Sequence, residues 1–211
     1  PSEIIYLKDI ENGKSWTMTA MPMPDNKNYN IIYGFGYSKF IHNSLGINQE
    51  LEVFVPCLDT AKLSILRLTL KNNAPKKKKI KLIYYIKPVL GEDEIKSDGY
   101  IKVQYEENSN LLIAENLYNV DQFKDIIYVS SSEKIKSYKS MFLGKGGVTN
   151  PDGLHRVRLD DSTGIGKKSC IAIEIEVEIE SFSNKKISLI LGAEEGLMEA
   201  KDVAYKYSKI Q

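Results

Sequence analysis

Apolar and polar residues alternate at period two along most of this chain, the spacing of a half-buried β-strand. The clearest run is IAIEIEVEIE, with Ile171, Ile173, Ile175, Val177 and Ile179 on one face and Glu174, Glu176, Glu178 and Glu180 on the other. LSILRLTLK sets Leu66, Leu68 and Leu70 against Arg67, Thr69 and Lys71, and the turn Asn72-Asn73-Ala74-Pro75 follows it. KIKLIYYIKP puts Ile80, Leu82, Tyr84 and Ile86 on one face, and Pro88 ends the pairing because it lacks an N–H. Leu51, Val53 and Val55 alternate with Glu50, Glu52 and Phe54 before Pro56, and Ile187, Leu189 and Leu191 mark the last strand. Shorter strands are predicted over residues 100–105, 111–115 and 126–130. The opening IIYLKDIENGKSWTM reads as a hairpin turning at Asn12-Gly13.

YGFGYS, residues 33–38, also alternates. It predicts one strand with Tyr33, Phe35 and Tyr37 on one face and Gly34, Gly36 and Ser38, almost bare backbone, on the other. Glycine weakens a strand, so it marks a bulge or a close approach by backbone or ligand. Helical spacing appears only in the tail, where Leu197, Ala200, Ala204 and Tyr207 share a face. Many short alternating strands followed by one helix predict an all-β fold, a large antiparallel β-sandwich with a C-terminal helix, in one domain.

Composition narrows the function classes. The chain has 211 residues, enough for one large domain, and 29 Lys and Arg face 28 Asp and Glu for a net charge of +1. That balance excludes nucleic acid and anionic membrane as main partners. No apolar run approaches membrane-spanning length, and no signal peptide is visible in the sequence. Cys57 and Cys170 each sit in an apolar stretch, which predicts two buried thiols in a reducing, cytoplasmic setting. The chain begins at Pro1 without a methionine, as expected of a fragment of something longer.

Candidate chemistry is sparse. The glutamate row at 174–180 reads as the solvent face of a strand, and Lys76 to Lys79 as solvated charge at a hairpin. Gly164-Ile165-Gly166-Lys167-Lys168-Ser169 is no phosphate-binding loop: position 161 is Asp where Gly is needed, and Lys168 follows Lys167. It and Gly144-Lys145-Gly146-Gly147 read as turns. His42 and His155 lie apart without cysteines or acids at zinc-ligand spacing. Asp152, Asp160 and Asp161 read as turn formers. There is no G-x-S-x-G nucleophile elbow. Thirteen tyrosines offer flat faces for sugar rings, although strands are aromatic-rich in any case.

The ordered series YLKDIENGKSW, MPMP, YGFGYSKFIHNSLGINQELEVFVP, LRLTLKNNAPKKKKIKLIYYIKPVLG, FLGKGG and ISLILG resembles the N-terminal β-sandwich (supersandwich) of glycoside hydrolase family 94, formerly glycosyltransferase family 36. KDIENGKSW, GYSKFIHNSLGINQELEVFVP and YYIKPVLG look most similar to the cyclic β-1,2-glucan synthase and 1,2-β-oligoglucan phosphorylase branch, and more distantly to cellobiose phosphorylase.

The resemblance implies a non-catalytic sandwich over residues 1–193 and, over 194–211, the start of a helical linker to an (α/α)6-barrel that carries the catalytic aspartate. It implies no cofactor, with inorganic phosphate as co-substrate of the parent enzyme in place of the water used by inverting hydrolases. The implied partners are a β-glucan oligosaccharide, the barrel of the same polypeptide and a second copy in a homodimer. Location is expected in the cytoplasm, or on the cytoplasmic side of the membrane for a cyclic glucan synthase. In the family, a loop after the strand matching LIYYIKPVLG reaches a neighbour's acceptor-sugar site and in cellobiose-type members carries a Gln-Arg pair. Here it reads GEDEIKSDG, without that pair, which argues against cellobiose. The candidate sugar-contacting residues are therefore Glu92, Lys96 and Asp98 in that loop, with Tyr37 and Tyr100 as stacking faces. No catalytic residue and no metal ligand is expected. The alternative is an autonomous carbohydrate-binding module.

Overall fold

The computed structural model describes residues 2–57, 62–91, 94–118 and 125–208. Within them the alternating segments form strands. The chain opens with β1 (Glu3–Asp9), β2 (Ser15–Thr17), β3 (Tyr29–Gly34), β4 (Tyr37–Ser44), β5 (Ile47–Phe54), β6 (Lys62–Asn72) and β7 (Lys78–Ile86). A one-turn helix α1 (Glu94–Ser97) precedes β8 (Ile101–Glu106), β9 (Leu111–Asn116) and β10 (Ile126–Ser131). Then come β11 (Ser137–Lys139), β12 (Gly164–Ile165), β13 (Ile171–Ile179), β14 (Asn184–Glu194) and helix α2 (Leu197–Ser208). Helix α1 was not legible as a period, because four residues are too short to show one.

The strands make a nine-stranded sheet, ordered β12-β8-β9-β10-β14-β6-β5-β4-β3, and a five-stranded sheet, ordered β11-β13-β7-β1-β2. Neighbouring strands are antiparallel throughout, as predicted. The inner faces meet in one core, where Leu66, Leu68 and Leu70 of β6 oppose Ile80, Leu82 and Tyr84 of β7 and Ile171 to Ile179 of β13. Each such side chain is worth roughly 1.5–3 kcal/mol relative to an exposed one. Across this core the buried Trp16 indole donates to Gln49 Oε1 at 2.7 Å, and the Gln49 amide donates to the Met18 carbonyl at 3.2 Å. The pair satisfies two buried polar groups and fixes the five-stranded edge over β5.

Both outer faces are also partly covered, which alternation alone could not show. On β6, Leu63 and Ile65 point outward and are buried by Ala200, Ala204 and Tyr207 of α2. On the five-stranded sheet, Tyr6, Ile83, Tyr85 and Ala172 are buried by Phe142, Leu154 and Leu159 of the long segment between β11 and β13. Phe142 packs between Tyr6 and Tyr85, with ring centroids at 5.6 and 5.8 Å.

That covering segment overturns one expectation. Glu176, Glu178 and Glu180 do face solvent, pairing with Lys136, Lys79 and Lys77. Glu174 does not: it is fully buried and meets Lys81 Nζ at 3.2 Å. Burial is tolerable because the pair is used further. Glu174 Oε2 accepts the Leu159 N–H at 3.3 Å, Lys81 donates to the Val157 carbonyl, and Lys8 donates to the Leu154 carbonyl at 2.6 Å. Burial, and the neighbouring Lys81 charge, lower the pKa of Lys8, while Glu174 opposes them.

Two further expectations change. Cys170 is buried, and burial pushes its thiol up to about 12, but Cys57 is exposed because β5 ends at Phe54 and releases it. Residues 33–38 are not one strand: β3 ends at Gly34, Phe35-Gly36 make a two-residue turn, and β4 starts at Tyr37. Gly36 has φ +84°, which a side chain resists. Gly34 is glycine because the Tyr37 ring lies where its Cβ would be, 2.1 Å away. The bare positions therefore serve a turn and a ring rather than a neighbouring sheet.

The charge pair beneath the covering segment yields a stability test. Lys81→Met leaves Glu174 buried and unpaired and should cost about 3–5 kcal/mol in urea unfolding, whereas Lys81→Met with Glu174→Leu should recover only part of the loss, about 1–3 kcal/mol remaining because the buried Leu159 N–H has lost its acceptor.

Candidate functional site

Strand β7 runs out of the core into Lys87 and Pro88, and residues 94–99 lead through α1 into β8. This loop is held from inside. Asn116, buried at the end of β9, donates to the Leu90 carbonyl at 2.6 Å and accepts the Tyr118 N–H at 2.8 Å. Backbone bonds Asp98 N–H to Glu94 O, at 2.9 Å, and Tyr100 N–H to Ser97 O, at 3.1 Å, close α1 and the turn after it. A loop so anchored presents its side chains in a set geometry.

The loop forms one wall of a cleft of about 470 Å³. Its floor is Tyr85 and Phe142, whose packing against Tyr6 makes it rigid. A second wall is Gly144, Lys145 and Gly147, and a third is Lys167 and Lys168. The two glycine-lysine segments, each only a turn in isolation, thus face each other across one opening; β12 holds the second by pairing Gly164 with Val103. Lys87 is paired with Glu94, and Asp98 Oδ1 accepts the Lys168 N–H, tying the loop to the third wall. Burial raises the pKa of the Tyr85 hydroxyl, so it stays a neutral donor.

The nominated residues separate. Asp98 lines the cleft, Lys96 is exposed on α1, and Tyr100 ends the loop. Tyr100 packs against Tyr118, with centroids 4.8 Å apart, and the rings stay 45% and 51% exposed. Glu92 lies outside the described residues. Tyr37 is elsewhere: β4 stands six strands from β8 in the nine-stranded order, on the order of 29 Å at about 4.8 Å per strand, so Tyr37 and Tyr100 do not share a site.

The cleft offers amino groups, a phenol and a flanking aromatic pair, which can hold a hydroxyl-rich ligand. Its carboxylates are engaged with Lys87 and the Lys168 N–H, so neither is set up as a general acid or base. Among the described residues no cluster of His, Cys, Asp and Glu could hold a metal. His42 is instead structural, stacked on Tyr29 at 3.6 Å, with Nδ1 2.9 Å from the Asn28 carbonyl and Nε2 2.8 Å from Asp25. His155 Nε2 lies 2.7 Å from Asn150 Oδ1. No helix among the described residues is long and apolar enough to cross a membrane.

The sequence reading missed Lys145, Lys167 and Lys168 as members of one cleft. The spacing along the chain holds no signal of it; only the strand order brings them together.

Comparison with known proteins bears on the whole chain. The family model for the glycosyl hydrolase 94 supersandwich domain matches residues 1–210. The cyclic beta-(1,2)-glucan synthase NdvB of Rhizobium meliloti (strain 1021) is 24% identical over 198 residues, covering 91% of this chain and 7% of the synthase. The N,N'-diacetylchitobiose phosphorylase of Vibrio furnissii is 23% identical over 207 residues, covering 93% of this chain and 26% of the phosphorylase. The chain thus spans about a quarter or less of these relatives. Among solved structures, a bacterial glucoamylase complexed with acarbose superposes with a TM-score of 0.64 at 11% identity, over 99% of this chain and 29% of its own. A polysaccharide lyase superposes with a TM-score of 0.59 at 8% identity, over 97% of this chain and 27% of its own. Both are likenesses of fold.

The tie between the loop and the third wall can be tested alone. Asp98→Ala should cost the Lys168 amide at least about tenfold in hydrogen-exchange protection, roughly 1.4 kcal/mol of local opening, while β13 amides keep theirs.

Proposed function

Since the chain belongs to the glycosyl hydrolase 94 family, as its supersandwich domain, we propose that it is the non-catalytic sandwich of a β-glucan phosphorylase or cyclic β-1,2-glucan synthase. It supports a catalytic (α/α)6-barrel in the same polypeptide, associates with a second copy, and borders the glucan site with the loop at residues 91–99. The parent enzyme works in the cytoplasm, or on the cytoplasmic side of the membrane if it is a synthase, and takes inorganic phosphate as co-substrate without a cofactor.

The observation that carries this reading is the family match over residues 1–210, joined to relatives that extend far beyond the matched region. The anchored loop gives the bordering role a physical basis: a segment pinned by Asn116 and Asp98 can meet a neighbouring surface without first being ordered.

A second reading has its own observation, the half-exposed Tyr100–Tyr118 pair, which offers stacking faces to a pyranose ring. On that reading the domain binds β-glucan by itself.

Two measurements on the 211-residue chain decide between them. Incubated with β-1,2-gluco-oligosaccharides and inorganic phosphate, the chain should release no glucose 1-phosphate above the enzyme-free blank; release would overturn the non-catalytic reading. Calorimetric titration with the same oligosaccharides should show no saturable heat. Saturable binding that weakens at least tenfold in Tyr100→Ala would instead establish the autonomous module.

A further inference from the structure

A second cleft, of about 490 Å³, opens at the opposite end of the β8–β9 hairpin from the loop at residues 91–99. The length of β8 separates the two, roughly 20 Å at about 3.3 Å per residue. One wall is the turn at Asn108 and Ser109, a second is Ser130, Ser131 and Ser132 where β10 ends, and the third is α2.

These walls are fixed to one another. Asn110, at φ +53°, donates to the Ser131 and Glu133 carbonyls at 3.2 and 3.0 Å and accepts the Ile135 N–H at 3.0 Å. Lys201 of α2 meets Glu106 at the end of β8, 3.1 Å away. The shape of the cleft is therefore set before anything enters it.

Its hydroxyls are only partly used. Ser131 Oγ accepts the Glu133 N–H at 3.1 Å and Ser132 Oγ accepts the Ser188 N–H at 3.0 Å, so each keeps an O–H to donate. Ser208 Oγ donates to the Tyr205 carbonyl at 2.8 Å and keeps its lone pairs. Ser130 lines the cleft, is only 4% exposed, and has no side-chain partner among the described residues. Its hydroxyl is left for whatever fills the space.

Chemistry narrows the occupant. An anion would meet the Asp202 carboxylate and a lysine already paired. A metal ion would find no group of three His, Cys, Asp or Glu among the described residues. An apolar ligand, or an apolar cover of protein, would strip water from the hydroxyls and give nothing back. A neutral polyol fits, because each of its hydroxyls both donates and accepts, as these walls do. Tyr205, 66% exposed on the α2 wall, adds a flat face for a ring.

We propose that this cleft binds a neutral, polyhydroxylated ring of about one pyranose, with Ser130 to Ser132 meeting its hydroxyls and Tyr205 stacking on its face. The site is distinct from the cleft at Tyr85 and Asp98 and does not rest on the glucan-bordering role. A single open subsite holds such a small ligand at a Kd of about 1–10 mM, which leaves a calorimetric titration unsaturated.

Amide resonances of the ¹⁵N-labelled 211-residue chain, titrated with methyl β-glucoside, read it directly. Residues 108, 109, 130–132, 201 and 205 should shift along one millimolar curve, while Tyr100 and Tyr118 stay still. Ser130→Ala and Tyr205→Ala should each weaken that curve about fivefold with the melting temperature retained. Glycerol, which has hydroxyls and no ring, should bind at least about fivefold more weakly than the glucoside. Any of four results would overturn the proposal: no saturable shift at these residues, shifts at 100 and 118 instead, undiminished binding in both folded variants, or a stronger response to inorganic phosphate. The sample contains no β-1,2 linkage, so failure here is separate from failure of the glucan reading.

Discussion

A five-stranded sheet cannot cover a nine-stranded one, and the rest of this molecule is arranged around that mismatch. Where the sheets face each other, one continuous core forms and Gln49 bonds across it to Trp16. Elsewhere apolar strand faces need other covers. Helix α2 supplies one over Leu63, Ile65 and Ile190. The segment between β11 and β13 supplies another over Tyr6, Ile83 and Tyr85. At β3 and β4 an apolar face remains open, with Ile31, Ile32 and Tyr33 exposed at a sheet edge.

The covers differ in how they are held. Helix α2 relies on small residues, Ala200 and Ala204, that let it lie close to the sheet, with Tyr207 filling the gap beside them. The long segment has little regular structure, and its own hydrogen bonds, such as Gly153 N–H to the Phe142 carbonyl at 3.1 Å, close turns rather than join it to the sheet. It is fastened instead through its carbonyls, to Lys8 and Lys81, and through the Leu159 N–H, to Glu174. A buried lysine-carboxylate pair would be a poor exchange for apolar packing if it only met itself. Here it also satisfies backbone groups that the loop would otherwise bury unpaired. The fastening has a second consequence: it sets Phe142 and the 144–147 turn against Tyr85, and so builds the floor and one wall of the cleft.

The cleft and the β3 edge sit at opposite ends of the nine-stranded sheet, which lets them serve different purposes. One end has a pinned loop, amino groups and an aromatic pair suited to a hydroxylated ligand. The other has an uncharged, exposed edge strand. The chain belongs to the glycosyl hydrolase 94 family as its supersandwich domain, and it spans about a quarter or less of the relatives it matches.

Local sequence determined the strands, because alternation in β6, β7, β13 and β14 is a property of side chains two residues apart and survives any packing. It likewise determined α2, the β1–β2 hairpin and, through the order of its motifs, the family, although the hairpin turns through residues 10–13 rather than through Asn12-Gly13 alone. It did not determine which polar positions stay wet. Glu174 and Glu178 are equivalent in the alternation, yet one lies under the 140–160 segment and the other in water, since cover comes from residues distant in the chain. The alternation of residues 33–38 misled for a related reason: a two-residue turn keeps the pattern of a strand while reversing its direction, and only the pairing of Gly34 with Tyr37 distinguishes them. Loop 91–99 could be nominated through the family resemblance, but its opposing lysines could not, because strand order alone joins positions 98, 145 and 168. Tertiary structure decided the site because long-range pairing, unlike periodicity, leaves no mark on neighbouring residues.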